Sequence, residues 1–413
     1  MSVDGGVARS HMIIQQGQSL AFELTTQATI LKLLCAFVLC GILVAGLWPF
    51  HAPKNEVSWL SNRKGLLFGD YGSIVGAGPF RASEPKEESP CSLEIWLQPT
   101  KVNSSGTILG LYWPESRVVP FALRQSLGDL VLQRTSRDQS QHSTKTKIYV
   151  DHVFSHATPV FVTISSGERG TSIYANGTLA RMSPEFRFSS KDLTGQLVVG
   201  NSSVTTDTWS GQLKGLAIYN RELTASQVAK NYRSWSESGH PGVSALDGAT
   251  ALYLFNEDAG NAVHNQVDST TDLVIPERFF VLHEPFLQRP WNEYRPEWNY
   301  WKDIAVNIGG FMPLGFLFYA YFARVRRVQH PAAVTVAFGF AVSLTIEVLQ
   351  AFLPTRNSGM TDLITNSIGT AIGVIVFRNK ALQLAFAKAD ICTGKSTLSR
   401  PWDAKLIRHT GKV

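Results

Sequence analysis

The chain has 413 residues, 44% of them hydrophobic and 17% charged, with a formal net charge of +6. A mean hydropathy near zero averages two unlike parts, one of membrane character and one polar, which excludes a uniformly soluble chain. Much of the positive charge lies in the C-terminal tail and reads as membrane orientation, so nucleic acid is set aside as a partner. Cys35 and Cys40 fall in an apolar run, Cys392 in the tail, and Cys91 stands alone in the polar part, so that part has no internal disulfide framework.

Residues 1–29 form a polar tail, read as cytoplasmic. An apolar run follows at 33–48, opened by Lys32 and closed by Trp48-Pro49. It is either a signal-peptide core or an uncleaved first membrane helix spanning 30–50. The long tail before it, and the lack of a small-x-small cleavage site after it, favour the helix.

Residues 65–276 read as soluble and rich in β structure, with short alternating runs separated by Gly, Asn and Ser turns. Leu93, Ile95 and Leu97 alternate. Phe121 and Leu123 are set against Leu130 and Leu132 across 126–129. Val160, Val162 and Ile164 precede a turn at 167–170, and 172–175 runs into Asn176-Gly177, a strong hairpin signal. This spacing implies an all-β sandwich or jelly roll. No cofactor is implied. Asp70, Asp207, Glu257 and Asp258 are calcium candidates without a compact cluster, and solvated surface charge is the competing reading. Trp96, Trp113 and Trp209 are either sugar-stacking platforms or core residues. Asn103, Asn176 and Asn201 occupy N-x-S/T sequons, which matter only in a host that glycosylates secreted proteins. No paired-carboxylate strand of the E-x-D-x-x-E type is present, which disfavours glycoside hydrolysis.

Residues 277–302 crowd Phe279, Phe280, Phe286, Trp291, Tyr294, Trp298 and Tyr300 together with Arg289 and Arg295. The composition fits a membrane interface; a linker packed on the sandwich is the alternative.

The stretch 303–378 organises the chain. Runs at 304–322 and 363–377 carry no charge, and 332–353 carries only Glu347. The first and second of these runs match a hydrocarbon core of roughly 30 Å, whereas 363–377 is short and would need thinning or snorkelling of Arg378 and Lys380. Polar residues recur at helical spacing: Asp303, Asn307 and Gly310; Ser343, Glu347 and Gln350; Asp362, Asn366, Gly369 and Gly373. Each set makes one stripe, and the glycines let neighbouring backbones come close. With alternating helix directions the polar ends share one side of the membrane, and Asn307, Glu347 and Asn366 lie roughly 6–9 Å below the surface. Arg356, in the loop at 354–361, would roof this polar pocket. An ionisable group inside a membrane-length run is a functional hypothesis by default. Glu347 and Asp362 are therefore the catalytic candidates, and Asp303, Asn307, Gln350, Arg356 and Asn366 the binding candidates; no metal ligands are proposed. The basic tail at 379–413 and Arg324, Arg326 and Arg327 place both termini in the cytoplasm, and the pocket and sandwich outside. Lys54, Arg63, Lys64, Arg289, Arg295 and Lys302 on the outer flanks pull the other way.

The pattern N-I-G-G-F-M-P-L-G, then S-L-x-I-E-x-x-Q, then R-x-x-x-x-x-D-x-x-x-N-x-x-G-x-x-x-G resembles the VanZ-like membrane family. The matching positions are Asp303, Asn307, Phe311, Pro313, Gly315, Glu347, Gln350, Arg356, Asp362, Asn366 and Gly369. The resemblance implies a four-helix membrane protein with a link to glycopeptide (teicoplanin) resistance. The segments T-S-I-Y-A-N-G-T-L, G-Q-L-V-V-G-N and W-S-G-Q-L-K-G-L-A-I-Y-N-R-E-L-T-A-S-Q-V resemble the laminin-G-like, concanavalin A-like jelly roll. Trp209, Gly211, Leu213, Ile218, Tyr219, Leu223 and Val228 carry that match. Such modules bind glycans or proteins, some with calcium. The segment from Tyr253, which usually opens such modules, comes late here and implies a rearranged strand order or an added strand.

The expected fold is thus a multidomain membrane protein, a four-transmembrane-helix VanZ-like bundle with an all-β jelly roll inserted between helices 1 and 2. Its partners would be the lipid bilayer and an envelope glycan or extracellular protein. Three functions compete. One is a non-enzymatic envelope protein whose outward pocket holds a lipid or lipid-linked head group. The second is an outer-leaflet enzyme acting on envelope lipids or glycans through Glu347 and Asp362, with Arg356 holding a phosphate or carboxylate. The third is a transporter, ranked last because four helices are few for an aqueous path and no inverted repeat is visible.

Overall fold

The computed structural model describes residues 26, 28–61, 64–80, 89–137, 143–240, 248–294, 298–356 and 358–379. Most of the polar tail at 1–29, Arg63, Arg295, and the basic tail from 380 with Cys392 lie outside the described residues. The chain forms two compact units. One comprises Pro49–Phe286 with Gln350–Asn357; the other is helical and draws on Leu287–Leu349, the chain up to Trp48 and the chain from Ser358.

Among the described residues, four helices are long and apolar enough to cross a membrane. Helix α1 is Ala28–Leu47. After α2 (Ala225–Ser238) in the other unit and the short α3 (Pro290–Glu293) come α4 (Trp298–Ala320), α5 (Pro331–Gln350) and α6 (Met360–Arg378). Helix α4 runs on through a π-helical segment, Tyr321–Val325. Helix α5 stops at Gln350, so the apolar residues 351–353 belong to the following turn. Helix α6 corrects the short run expected at 363–377. The helix begins at Met360, so Asp362 lies inside it and accepts from the Asn307 amide, while Asn366, within the expected run, donates to the Ser343 hydroxyl. The result has 19 residues, about 28 Å, enough to cross without thinning.

The helices pack through glycine. A Cβ on Gly369 would overlap the backbone of Ile308, one on Gly373 that of Met312, and one on Gly315 that of Thr370. Gly339 of α5 meets the Thr370 side chain, whereas Gly310 faces open space, contrary to its expected role. Helix α1 lays Leu31, Cys35, Val38 and Ile42 against a cluster containing Phe311, Leu314, Phe318, Val342 and Ile346. Its other side leaves Leu33, Leu34, Phe37 and Val44 exposed, the surface expected to meet lipid.

In chain order the strands of the other unit are β1 (Val57–Trp59), β2 (Leu66–Phe68), β3 (Ile74–Phe80), β4 (Cys91–Pro99), β5 (Ser105–Trp113), β6 (Val118–Ser126), β7 (Asp129–Arg137) and β8 (Ser143–Val150). They continue as β9 (Val160–Gly167), β10 (Gly170–Ala175), β11 (Thr178–Ser183), β12 (Gly195–Val199), β13 (Gly211–Tyr219), β14 (Ala249–Tyr253), β15 (Ala262–Val263) and β16 (Leu273–Val274). One sheet has the order β1-β2-β13-β4-β9-β10-β11, with β14 also on β13; the other has β15-β16-β3-β12-β5-β6-β7-β8. The sheet begins at Val57, ahead of the expected start at 65, because β1 pairs with β2. The segment around Tyr253 is an added strand: β14 runs antiparallel to β13, Leu216 opposite Tyr253.

Between the sheets lies one core. Leu93, Ile95 and Leu97 pair with Ile164, Val162 and Val160 and meet Leu109, Leu111, Leu123, Leu130 and Leu132. Leu123 lies opposite Leu132 as expected, but Phe121 lies opposite Arg134 and Leu130 opposite Gln125. The two-residue loop Leu127-Gly128 sets this register. Asn176 and Gly177, with φ of 51° and 78°, make the expected tight turn between β10 and β11. The strand edges of β8 and β11 are tied together by Arg181, which donates to the Tyr149 carbonyl at 2.7 Å. Of the sequon asparagines, Asn201 is fully buried, with its amide oxygen accepting from the Asp207 N–H, whereas Asn103 and Asn176 are exposed.

The outer face of the first sheet is covered by α2. Thr224 and Gln227 form a reciprocal capping box at its start, and Gly239 ends it with φ 69°. Val228 and Trp235 pack there on Phe161, Tyr174, Ala217, Tyr219 and Leu252. Gly215 leaves room for the Trp235 ring, which a Cβ would strike. Beneath lies Glu94, fully buried, taking hydrogen bonds from the Tyr219 hydroxyl at 2.8 Å and the Asn231 amide at 2.9 Å.

Burial raises the Glu94 carboxyl above its ordinary value of 4.5. The folded state therefore holds this proton more tightly than the unfolded chain does. The stabilisation is complete below about pH 4.5 and fades as pH rises through the folded-state value. In hydrogen exchange across a pH series, corrected for intrinsic exchange, protection of α2 should fall with rising pH above that point. Glu94→Gln should flatten the fall; an unchanged slope would contradict this account.

The chain enters and leaves this unit side by side. Asn55 N–H bonds Glu277 O at 3.1 Å, Phe279 N–H bonds Pro53 O at 3.0 Å, and the Asn55 amide donates to Pro276 O at 2.8 Å.

Candidate functional site

The polar residues of the helical unit meet where α5 turns into α6. Ser343 and Glu347 lie one turn apart on α5, as do Asp362 and Asn366 on α6, so each pair shares a face. The Asn366 amide donates to the Ser343 hydroxyl at 2.9 Å. One turn higher, the Asn307 amide of α4 donates to Asp362 at 2.8 Å. Glu347 is 1% exposed. Its Oε2 accepts the Gly359 N–H at 2.8 Å, and the Ser358 hydroxyl also bonds the carboxyl. Glu293 of α3 accepts the Thr361 N–H at 3.2 Å, and Gln288 O accepts the Met360 N–H at 2.9 Å. Two carboxylates thus sit at the positive end of α6, where the helix dipole favours negative charge. Asp362 and Glu293 both lie within electrostatic reach of Glu347.

Among the residues singled out from sequence, the helices bring together Asn307, Glu347, Asp362 and Asn366. Asp303 is exposed on α4, one turn from Asn307. Gln350 is buried at the end of α5, and Arg356 lies in the loop that follows; both belong to the segment Gln350–Asn357, grouped with the sandwich. Within that unit the Thr206 hydroxyl bonds Pro354 O. Glu293 and the backbone of 359–361 were not legible as site members. Glu293 sits in a short aromatic helix far along the chain from α6, and backbone donors leave no trace in residue type.

In the sandwich, the calcium candidates are dispersed. Asp70 pairs with Lys101 at 2.7 Å and accepts from Ser210, which hold its carboxyl below the usual range. Asp207 pairs with Arg124 at 2.9 Å, Glu257 accepts the His264 N–H, and Asp258 is exposed. Among the described residues no group of three or more His, Cys, Asp or Glu gathers in a way that could hold a metal ion. Trp209 is a core residue whose indole donates to Gln125; Trp96 packs edge-on to Trp235; Trp113 donates to Thr194 O. The aromatic stretch 277–302 divides. Phe279 is fully buried against Tyr71 in the sandwich unit, whereas Trp291, Tyr294, Trp298 and Trp301 are exposed in the helical unit. Arg289 lies 5.7 Å from the Trp291 ring centre.

Residues 250–383 match the family model for VanZ/LLP1, and residues 79–229 match that for the concanavalin A-like lectin/glucanases superfamily. The chain therefore combines VanZ-like membrane helices with a concanavalin A-like jelly roll, set between the first helix and the others. No curated protein matches the chain. Among solved structures, the receptor-binding domain of botulinum neurotoxin D is similar at 13% identity and TM-score 0.31, over 45% of this chain and 47% of that one. The CBM40 of Ruminococcus gnavus IT-sialidase, bound to α2,3-sialyllactose, is similar at 15% identity and TM-score 0.31, over 40% of this chain and 95% of that one. The binding domain of Paraclostridial Mosquitocidal Protein 1 gives 16%, 0.32, 45% and 47% in the same order. The chain thus spans about half the length of the toxin domains it matches. Scores at this level carry no argument about this chain's ligand.

Proposed function

We propose that the chain is a membrane-anchored protein of the cell envelope. Its helical unit recognises a lipid or lipid-linked head group, and its jelly roll captures a surface glycan or protein. The carrying observation is the polar cluster of Asn307, Ser343, Glu347, Asp362 and Asn366, built into helices that otherwise present apolar surface. Polar groups at membrane depth are costly and are kept where they act. In this reading Glu347, engaged by the Gly359 N–H, and Asp362, engaged by Asn307, act as fixed binding groups. The resemblance to a family linked to glycopeptide resistance supports the envelope setting. On this reading both termini are cytoplasmic and the jelly roll lies outside, which the basic residues flanking the helices support.

Cysteine accessibility in intact cells tests this arrangement. Single-cysteine variants at Ser104 and Ser396, made in a chain lacking the native cysteines, are treated with a membrane-impermeant thiol reagent. Labelling is expected at 104 and not at 396. The reverse pattern would put the jelly roll in the cytoplasm and remove the basis for an envelope ligand.

A further inference from the structure

We propose that the polar cluster at the junction of α5 and α6 takes a ligand that donates hydrogen bonds, a primary ammonium head group, rather than an anionic one. This rests on the head-group reading above and assigns its chemistry.

An anion would ordinarily dock on the free amides at the start of α6. Those amides are already used. Gly359 N–H is held by Glu347, Met360 N–H by the Gln288 carbonyl, and Thr361 N–H by Glu293. The protein's own carboxyl groups fill the place a phosphate would take.

What the cluster retains is acceptor capacity. Asn366 is 5% exposed, and its amide is oriented by donation to Ser343. Its Oδ1 nevertheless has no hydrogen-bond donor. It lies one turn below Asp362, on the α6 face that meets the α5 stripe of Ser343 and Glu347. The Oε1 of Glu293, on the Gly359 side of the cluster, is likewise buried without a donor. A buried acceptor without a partner is destabilising until a donor reaches it. A primary ammonium supplies three N–H donors, and so answers the unpaired Asn366 Oδ1, and its positive charge suits a cluster built on carboxyl groups. A quaternary ammonium carries the charge without the donors, and a phosphate or glycerol-phosphate head group carries the wrong sign.

The test uses the full-length protein in phosphatidylcholine nanodiscs, with short-chain phosphatidylethanolamine, phosphatidylglycerol and phosphatidylcholine offered in competition and retention read by native mass spectrometry. Phosphatidylethanolamine should be retained over phosphatidylcholine by about tenfold, the contribution of one hydrogen bond to a charged group. Asn366→Leu should abolish the preference. Asn366→Asp, which keeps the acceptor, should preserve or strengthen it, so a folding failure in the leucine variant does not decide the matter. Competition by free phosphoethanolamine separates sources: displacement assigns a soluble amine, and no displacement assigns the lipid. Preference for phosphatidylglycerol that depends on Asn366 and Glu347 would overturn the ammonium assignment and leave the head-group reading standing. Equal retention of all three lipids, unchanged by the variants, would overturn both.

Discussion

Gly369→Ala is expected to break the packing of α4 on α6. The added Cβ would meet the carbonyl oxygen, carbonyl carbon and Cα of Ile308, all backbone atoms, so no rotamer change relieves the overlap. The helices must separate, and the contacts of Gly373 with Met312 and of Gly315 with Thr370 would loosen with them. Overpacking of this kind costs about 3 kcal/mol, and in lipid no hydrophobic gain between helices offsets it. Loss of the thermal transition of the helical unit in detergent, or a large fall in its midpoint, is the expected reading. Gly310→Ala is the internal comparison. Nothing lies within 4 Å of the Cβ it would add, so helix propensity should leave that variant neutral or slightly more stable. Equal behaviour of the two variants would show that the close approach of α4 and α6 is not what holds the unit together.

The second large effect is expected in the sandwich. Trp235 is 1% exposed and fills the space over Gly215, against Phe161 and Trp96. Truncation to alanine should cost about 4 kcal/mol by the cavity it leaves and the apolar area it returns to water. Because Trp235 is the largest side chain that α2 buries, the loss should fall mainly on that helix. Amide protection in α2 is expected to drop by roughly a thousandfold, with Leu93, Ile95 and Leu97 on the inner face of β4 much less affected. Glu94 would then reach water and titrate near its ordinary value. A fall in α2 protection of less than about tenfold would mean that the capping box and Val228 hold the helix without the ring.

Why α2 and Glu94 escaped a reading of the sequence is a matter of tertiary cover. In C-S-L-E-I-W-L the alternation assigns Leu93, Ile95 and Leu97 to the core correctly, and by the same rule sends Glu94 to solvent. Only α2, seated on that outer face, changes its environment. The helix did leave a mark, the T-x-x-Q pattern of Thr224 and Gln227, but it stands in a segment that otherwise reads as strands and turns. The membrane helices were legible for the opposite reason: apolar runs of that length have few other uses. Their ends were less so: the charge of Asp362 stopped the apolar run at 363, whereas the helix begins at Met360 and its Asp362 accepts from Asn307. The same holds for the site. Asn307, Glu347, Asp362 and Asn366 announce themselves by spacing, whereas Glu293 and the amides of 359–361 join only through the fold.

The hydrogen-bonded segments at residues 53–55 and 276–279 bear on how such a chain can be built. Loop-closure entropy depends on the separation of the ends that must be held together, and here those ends are hydrogen-bonded neighbours. To the four helices, the whole folded insert costs no more to tether than the turn of a hairpin would. A jelly roll could therefore be gained, lost or exchanged at this point of a VanZ-like chain without re-engineering the membrane part. Selection on the jelly roll and on the membrane helices could then proceed independently.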